Sequence, residues 1–197
     1  IASLEHFFFF FLCGLLLSGM VLFAIKASAI EPSVWRIDSS KSQANIGISL
    51  RIPLHPEGQF KAISGELTRL AEHKMSVNLQ LNVQDLKMNG PHWVQTSTLS
   101  ESFLDVKNYP VIRFQSVPFS NQVLISGGDL KGQLTLKGKQ QTVTFNVLPS
   151  TCLRPGFTCS IVGKGLVNRH DFGITANRWT VREQVRFSFQ LKFIENE

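Results

Sequence analysis

The feature that most constrains this chain is a strict two-residue alternation near its C-terminus. Val185, Phe187, Phe189, Leu191 and Phe193 are apolar, and Arg186, Ser188, Gln190 and Lys192 between them are polar. Successive side chains of an extended strand leave opposite faces, so this pattern makes one face wholly apolar and the other wholly polar. A helix would scatter the same residues around its circumference. The stretch therefore specifies a half-buried antiparallel strand, and the rest of the fold must offer a greasy interior to five large side chains.

The same rhythm recurs at Ile46, Ile48, Leu50 and Ile52, at Val77, Leu79, Leu81 and Val83, at Leu134 and Leu136, and at Val143, Phe145 and Val147. Strands are expected near 34–38, 43–52, 58–70, 75–84, 111–118, 121–127, 129–138, 141–148, 157–169 and 183–194. Gly127-Gly128-Asp129 and Lys137-Gly138-Lys139 supply turns between them. Gly132 shares a face with Leu134, and a glycine inside a strand marks a bulge or a sharp bend of a closing sheet. Many short alternating strands joined by tight turns argue for an all-β sandwich or barrel, and the pattern alone does not choose between them. One helical insertion is expected at 96–106, where Leu99, Phe103 and Val106 fall on one face and Ser97 offers a cap. Pro110 fixes its own φ and drives Tyr109 out of the helical region, so the switch to the next strand is expected there.

Residues 1–29 read as an N-terminal signal segment rather than part of the fold. Phe7 to Ile25 is a run of nineteen uncharged residues, followed by Lys26 and the small-residue tripeptide Ala27-Ser28-Ala29. That order fits a secretory signal cleaved after Ala29, which makes the protein exported and periplasmic. The run approaches the roughly 20 residues that span a bilayer, and the six residues before it hold Glu5 and no cation, so a retained membrane anchor is the alternative. Cys13 lacks the small preceding residue of a lipidated cysteine and reads as one more apolar residue. The domain proper is residues 30–197, long enough to bury one core. Glu5 and Lys26 leave together, so its net charge stays at the full chain's +6. The cations are scattered, with no basic stripe interleaved with aromatics, which excludes a recognisable nucleic-acid surface. Dispersed positive charge is compatible with transient contact with an anionic membrane.

Catalytic chemistry is poorly supported, and no enzyme and no cofactor are expected. His55, His73, His92 and His170 lack metal-ligand spacing, and no G-x-S-x-G elbow occurs. Asp38, Glu66, Asp85, Asp105 and Asp171 are isolated along the chain. His170-Asp171-Phe172-Gly173 looks like a kinase element, but the glycine-rich loop and strand lysine that would accompany it are missing. Cys152 and Cys159 flank the turn dipeptide Pro155-Gly156. They can pair across a hairpin loop in an oxidising compartment or remain free thiols. A zinc site is not expected, for want of a second ligand pair.

Four segments in order carry a family likeness. They are Trp35-Arg36-Ile37-Asp38 with Ser42; Leu99 with Ser102 to Ser116; Gly132-Gln133-Leu134-Thr135-Leu136-Lys137-Gly138; and Asn168-Arg169-His170-Asp171-Phe172-Gly173-Ile174. Together, over about residues 34–194, the chain resembles the YceI-like family. It departs from the family pattern in three places. Leu104 stands where a second phenylalanine is common, residues 86–98 lack a charged pair, and the two cysteines look like a local addition.

The resemblance implies an eight-stranded antiparallel, lipocalin-like β-barrel whose interior holds a polyisoprenoid or similar long-chain lipid, and whose members can pair as homodimers. A barrel of about eight strands has just enough interior for its own side chains or for one small ligand. On this reading the inner wall is Ile46, Ile48, Leu79, Leu81, Phe114, Phe145, Phe187, Phe189 and Leu191. Trp179, Arg169 and Arg178 are then candidates for the mouth, where an arginine fork suits a phosphate head. The competing reading fills the barrel with these same side chains as ordinary core and pairs Arg169 with Asp171 or sets it to anchor the next turn. That reading fits a secreted, stress-related interaction protein. An enzyme acting on a bound isoprenoid quinone is a third.

Overall fold

The molecule, here a computed structural model, is described for residues 33–195. The apolar run and the expected cleavage site lie outside the described residues. Twelve strand segments, all antiparallel, run in chain order. They are β1 (Val34–Arg36), β2 (Gln43–Leu50), β3 (Glu57–Phe60), β4 (Ile63–Arg69), β5 (Lys74–Asn82), β6 (Leu86–Met88), β7 (Val111–Ser116), β8 (Phe119–Ser120), β9 (Gly128–Leu136), β10 (Lys139–Val147), β11 (Ile161–Asn168) and β12 (Val181–Leu191). Two helices interrupt them, α1 (His92–Leu99) and α2 (Gln122–Ser126).

The registers reduce the twelve segments to eight strands. β1 pairs with β4 while β2 pairs with β3, so β1/β2 and β3/β4 are two long strands, each bent once. β4 pairs with β5 and β3 with β6, which makes β5/β6 a third. β7 and β8 both lie along β5 and form a fourth. β9, β10, β11 and β12 follow in order, and β12 pairs with β2. The last step closes a ring. Ile37 bridges Phe193, with Asp38 N–H donating to the Lys192 carbonyl at 2.8 Å and Ile194 N–H to Arg36 at 2.9 Å. The β1/β2 strand therefore has a partner on each side, and the sheet is a barrel rather than a sandwich. Closure removes most of the exposed edge that an open sheet would present. The edge left at β6 is covered by α1: the Gln95 side chain accepts from Met88 N–H (2.7 Å) and donates to Leu86 C=O (2.9 Å), standing in for a strand.

Inward positions follow the expected alternation and form one hydrophobic core. Local structure departs from expectation where short-range polar contacts compete. The helix begins at His92, with Pro91 as its N-cap, and ends at Leu99. Leu99, Phe103 and Val106 do pack on the core, but only Leu99 is helical and turns hold the other two: Asp105 has φ 50° and its N–H reaches Ser100 C=O. Ser97 lies inside the helix and does not cap it. The strand expected at 121–127 is instead α2. Ser120 Oγ accepts from Gln122 N–H, Gly127 at φ 77° ends the helix, and Leu124 alone of it is buried. The local Ser120 bond and the glycine stop outweigh the β-propensity of Val123 and Ile125. The strand expected over 58–70 breaks at Lys61-Ala62. The one expected from 157 starts at Ile161, because Cys152 and Cys159 are joined in a disulfide, Cα atoms 6.0 Å apart, that closes the loop before it. Lys137 (φ 49°) and Gly138 (φ 71°) make the two-residue turn between β9 and β10, where both positions need positive φ.

Candidate functional site

The barrel interior is apolar and, at its centre, nearly full. Phe114, Phe145 and Phe189 form a chain of edge-to-face contacts with centroids 5.0 and 5.7 Å apart. Each ring rests on a glycine of an adjacent strand. A β-carbon on Gly132 would lie 2.5 Å from the Phe114 ring, one on Gly165 2.6 Å from Phe145, and one on Gly163 2.2 Å from Phe189. Gly132 is thus no bulge, since the β9–β10 register runs through it unbroken, but the space that Phe114 fills. The void left in the middle is about 30 Å3, lined by these rings with Leu79, Leu81 and Phe187. That is room for about one water-sized group, so the interior is not a preformed tunnel.

Of the nine inner-wall candidates, all are buried in the common core. Leu79, Leu81, Phe114, Phe145, Phe187 and Phe189 line the central void, and Ile48 lines the mouth described below. Ile46 lies between Phe187 and Gly58 across the ladders of β2. Leu191 pairs with Ile161 and lines neither space.

The larger apolar space lies under α1. It measures about 290 Å3 and is bounded by Ile48, Leu50, Ile52, Trp93, Val94, Phe103 and Val181, with Ser97, Thr98, Asn177 and Thr180 as polar neighbours. Leu50 and Phe103 are legible in the sequence as core positions but not as part of a mouth, and Trp93 and Val94 are not legible at all because they fall in an aperiodic stretch. The aromatic two residues after Gly90-Pro91 was the available signal. A depression of about 550 Å3 on the outer wall, edged by Lys164 and Arg186 and floored by Gly47 and Gly165, is open to solvent.

Arg169 corrects an expectation. It is fully buried and offers nothing to a ligand at the mouth. Its Nη1 donates to the carbonyls of Ile174 and Ala176 (2.7 Å each), its Nη2 to Val181 (3.3 Å) and its Nε to Arg182 (3.1 Å). The fork therefore ties the loop after the 3-10 turn Arg169–Phe172 to the start of β12, which is the turn-anchoring role. No ion pair joins it to Asp171, whose carbonyl instead accepts from Gln141. Burial pushes the Arg169 guanidinium below its ordinary pKa and Glu183 opposes that, while a guanidinium stays charged throughout the physiological range. Arg178 and Trp179 are at the rim, both exposed, with the guanidinium 5.7 Å from the ring centroid. Trp179, 83% exposed, stands beside the mouth and does not cover it.

Among the described residues no cluster of His, Cys, Asp and Glu could hold a metal, and no helix is long and apolar enough to cross a membrane. No buried side-chain polar atom among them lacks a hydrogen-bond partner.

Residues 35–193 match the YceI-like domain. The chain belongs to the YceI-like family. Solved structures agree on the fold. The chain is similar to Burkholderia cenocepacia BcnA (22% identity, TM-score 0.64, covering 79% of this chain and 98% of that one). It is also similar to a polyisoprenoid binding domain from Saccharophagus degradans implicated in plant cell wall breakdown (14%, 0.61, 82% and 98%). A third is a Campylobacter jejuni YCEI protein (15%, 0.50, 71% and 85%). No curated protein matches the chain. Within the YceI-like fold, the arginine-x-aspartate-phenylalanine-glycine segment serves in this chain as a clamp on the rim loop.

Proposed function

We propose that this YceI-like protein is an exported, periplasmic, non-catalytic carrier of a polyisoprenoid or similar amphipathic lipid, with the apolar tail entering the barrel at the mouth under α1. The observation that carries the reading is the apolar space of about 290 Å3 at that mouth, continuous in chain register with the inner wall through Ile48, Leu50 and Val181. A tail there is held by burial alone, at about 25 cal/mol per Å2. With every buried side-chain polar atom among the described residues already partnered, the lumen offers nothing to a charged head, and the head stays at the rim beside Arg178. To pass deeper, the tail displaces the rings of Phe145 and Phe189. The family and the polyisoprenoid binding domain among the similar structures support the choice of ligand class.

A second reading rests on the same lumen. A central void of about 30 Å3 between three interlocked rings suits a barrel filled by its own side chains, and thus a secreted interaction protein. Solvent extraction of the purified protein followed by mass spectrometry separates the two. The carrier yields about one long-chain lipid per protein. A filled barrel yields none and takes up none when polyprenyl phosphate is added.

A further inference from the structure

Three separate segments bring large apolar side chains to the mouth and leave them in solvent. Ile52, on the turn after β2, is 56% exposed, Trp93, in the first turn of α1, 51%, and Trp179, on the loop before β12, 83%. They share one rim. Ile52 and Trp93 line the mouth together with Asn177 and Thr180, which bracket Trp179. Arg51 N–H donates to the Thr180 carbonyl at 2.8 Å, so the turn of Ile52 and the loop of Trp179 are bonded to each other. The third tryptophan differs: Trp35 is half-buried, with Phe157 edge-on at 5.5 Å and Arg69 at 5.1 Å from its ring. Leu153, 95% exposed, lies away from this rim, in a shallow depression with Trp35, Ile125 and Phe157.

The same rim is cationic. Arg51, Arg178 and Arg182 are exposed, and Glu183 is the acid among them. None of the three takes part in the ion pairs of the described residues, which join Asp38 to Lys41, Arg154 to Glu195 and Glu57 to Arg186. Unpaired arginines interleaved with exposed tryptophans match the chemistry of a bilayer interface. Indole rings settle at headgroup depth, and cations are drawn to anionic lipid.

We infer that the mouth rim docks on anionic lipid bilayers, with Trp93, Trp179 and Ile52 in the interface and Arg51 and Arg178 on the headgroups. The inference rests on the carrier reading of the mouth. A mouth laid on the bilayer lets an apolar tail pass from membrane to barrel without crossing water, and the arginines give the rim a preference for acidic lipid.

The test uses the full chain in variants that keep one tryptophan each, with vesicles of phosphatidylcholine alone or with phosphatidylglycerol, carrying a brominated phosphatidylcholine as quencher. Trp179 and Trp93 are expected to be quenched on the acidic vesicles while Trp35 is not, a contrast that attachment through some other segment would not set. Arg51→Ala and Arg178→Ala should each raise the vesicle concentration for half-maximal quenching about fivefold, the effect of one cation at an anionic surface. High salt should do the same. Equal quenching of all three tryptophans, none at the rim, or a midpoint indifferent to acidic lipid and to both arginines overturns the inference. Lipid extraction from the same preparation keeps the two claims apart. Extractable lipid without rim quenching overturns docking alone, and rim quenching without extractable lipid supports docking while removing the carrier.

Discussion

Phe189 and Gly163 are cross-strand partners, and the ring of the first lies on the bare Cα of the second: a β-carbon on Gly163 would come within 2.2 Å of the ring's Cζ. The contact explains a glycine in the middle of β11 without any appeal to unusual backbone. It also means that the central lumen is built from glycine–phenylalanine pairs, in which the missing side chain of one residue is the room for the other.

Gly163→Ala is therefore expected to destabilise the protein by about 1–3 kcal/mol, the cost of overpacking a filled core. The Phe189 ring must leave its seat, and ring contacts with Phe145 should change with it. Urea unfolding measures the first effect and ring-proton shifts the second. A neutral or stabilising substitution would contradict the packing.

Phe145 touches both other rings, so Phe145→Ala opens the centre. The expected loss is about 3–5 kcal/mol, typical of a deleted core aromatic. The enlarged apolar cavity should stay dry and take up a small apolar molecule. Benzene is then expected to raise the Tm of the variant more than that of the parent, whose larger apolar space is at the mouth. A loss below about 1 kcal/mol would place the ring outside the packed core.

Removing the Arg169 side chain leaves four carbonyls without their donor, those of Ile174 and Val181 buried and those of Ala176 and Arg182 partly so. Arg169→Ala should cost about 2–4 kcal/mol, because buried carbonyls that lose their donor cost about 1–3 kcal/mol each and the partly buried ones can turn to water. Arg169→Lys should recover only part of it, because a point charge cannot replace the fork. Protease cleavage should appear first within 174–180, the loop the arginine holds. Equal stability of the parent and the alanine variant in urea would contradict the clamp.

The disulfide closes a short loop, its two cysteines seven positions apart in sequence. Chain entropy sets its worth at about 2–3 kcal/mol. The double variant Cys152→Ser and Cys159→Ser, or the reduced parent, should unfold at correspondingly lower urea. The barrel should remain, since the ring of strands closes elsewhere, through Ile37 and Phe193. An unchanged midpoint would show that the loop contributes nothing.

Much of this fold is written in period two. The face from Val185 to Phe193 and the matching faces of β2, β5, β9 and β10 are inward as alternation requires, and Pro110 does hand over to a strand at Val111. Alternation could not choose barrel over sandwich, because closure depends on pairing between residues more than 130 positions apart, such as Leu50 with Val181 and Ile37 with Phe193. It also misjudged α2 and the start of α1, where single side chains such as Ser120, and the cap at Pro91, decide the backbone. For the site, the inner-wall residues were legible as a set. Whether they enclose a space was not, since that turns on which glycine faces which ring. Arg169 illustrates a further limit: a charged residue beside a loop reads as exposed until its carbonyl partners are known.

The placement of a polyisoprenoid tail inside the barrel is tested most directly by magnetisation transfer between an isotope-labelled polyprenyl phosphate and the protein in solution. Transfer from the isoprenoid methyls to Phe103 and Val181 at the mouth, and to the rings of Phe145 and Phe189 within, is the expected result. Transfer only to outer-wall residues such as Leu166, with the three lumen rings unshifted, would contradict it.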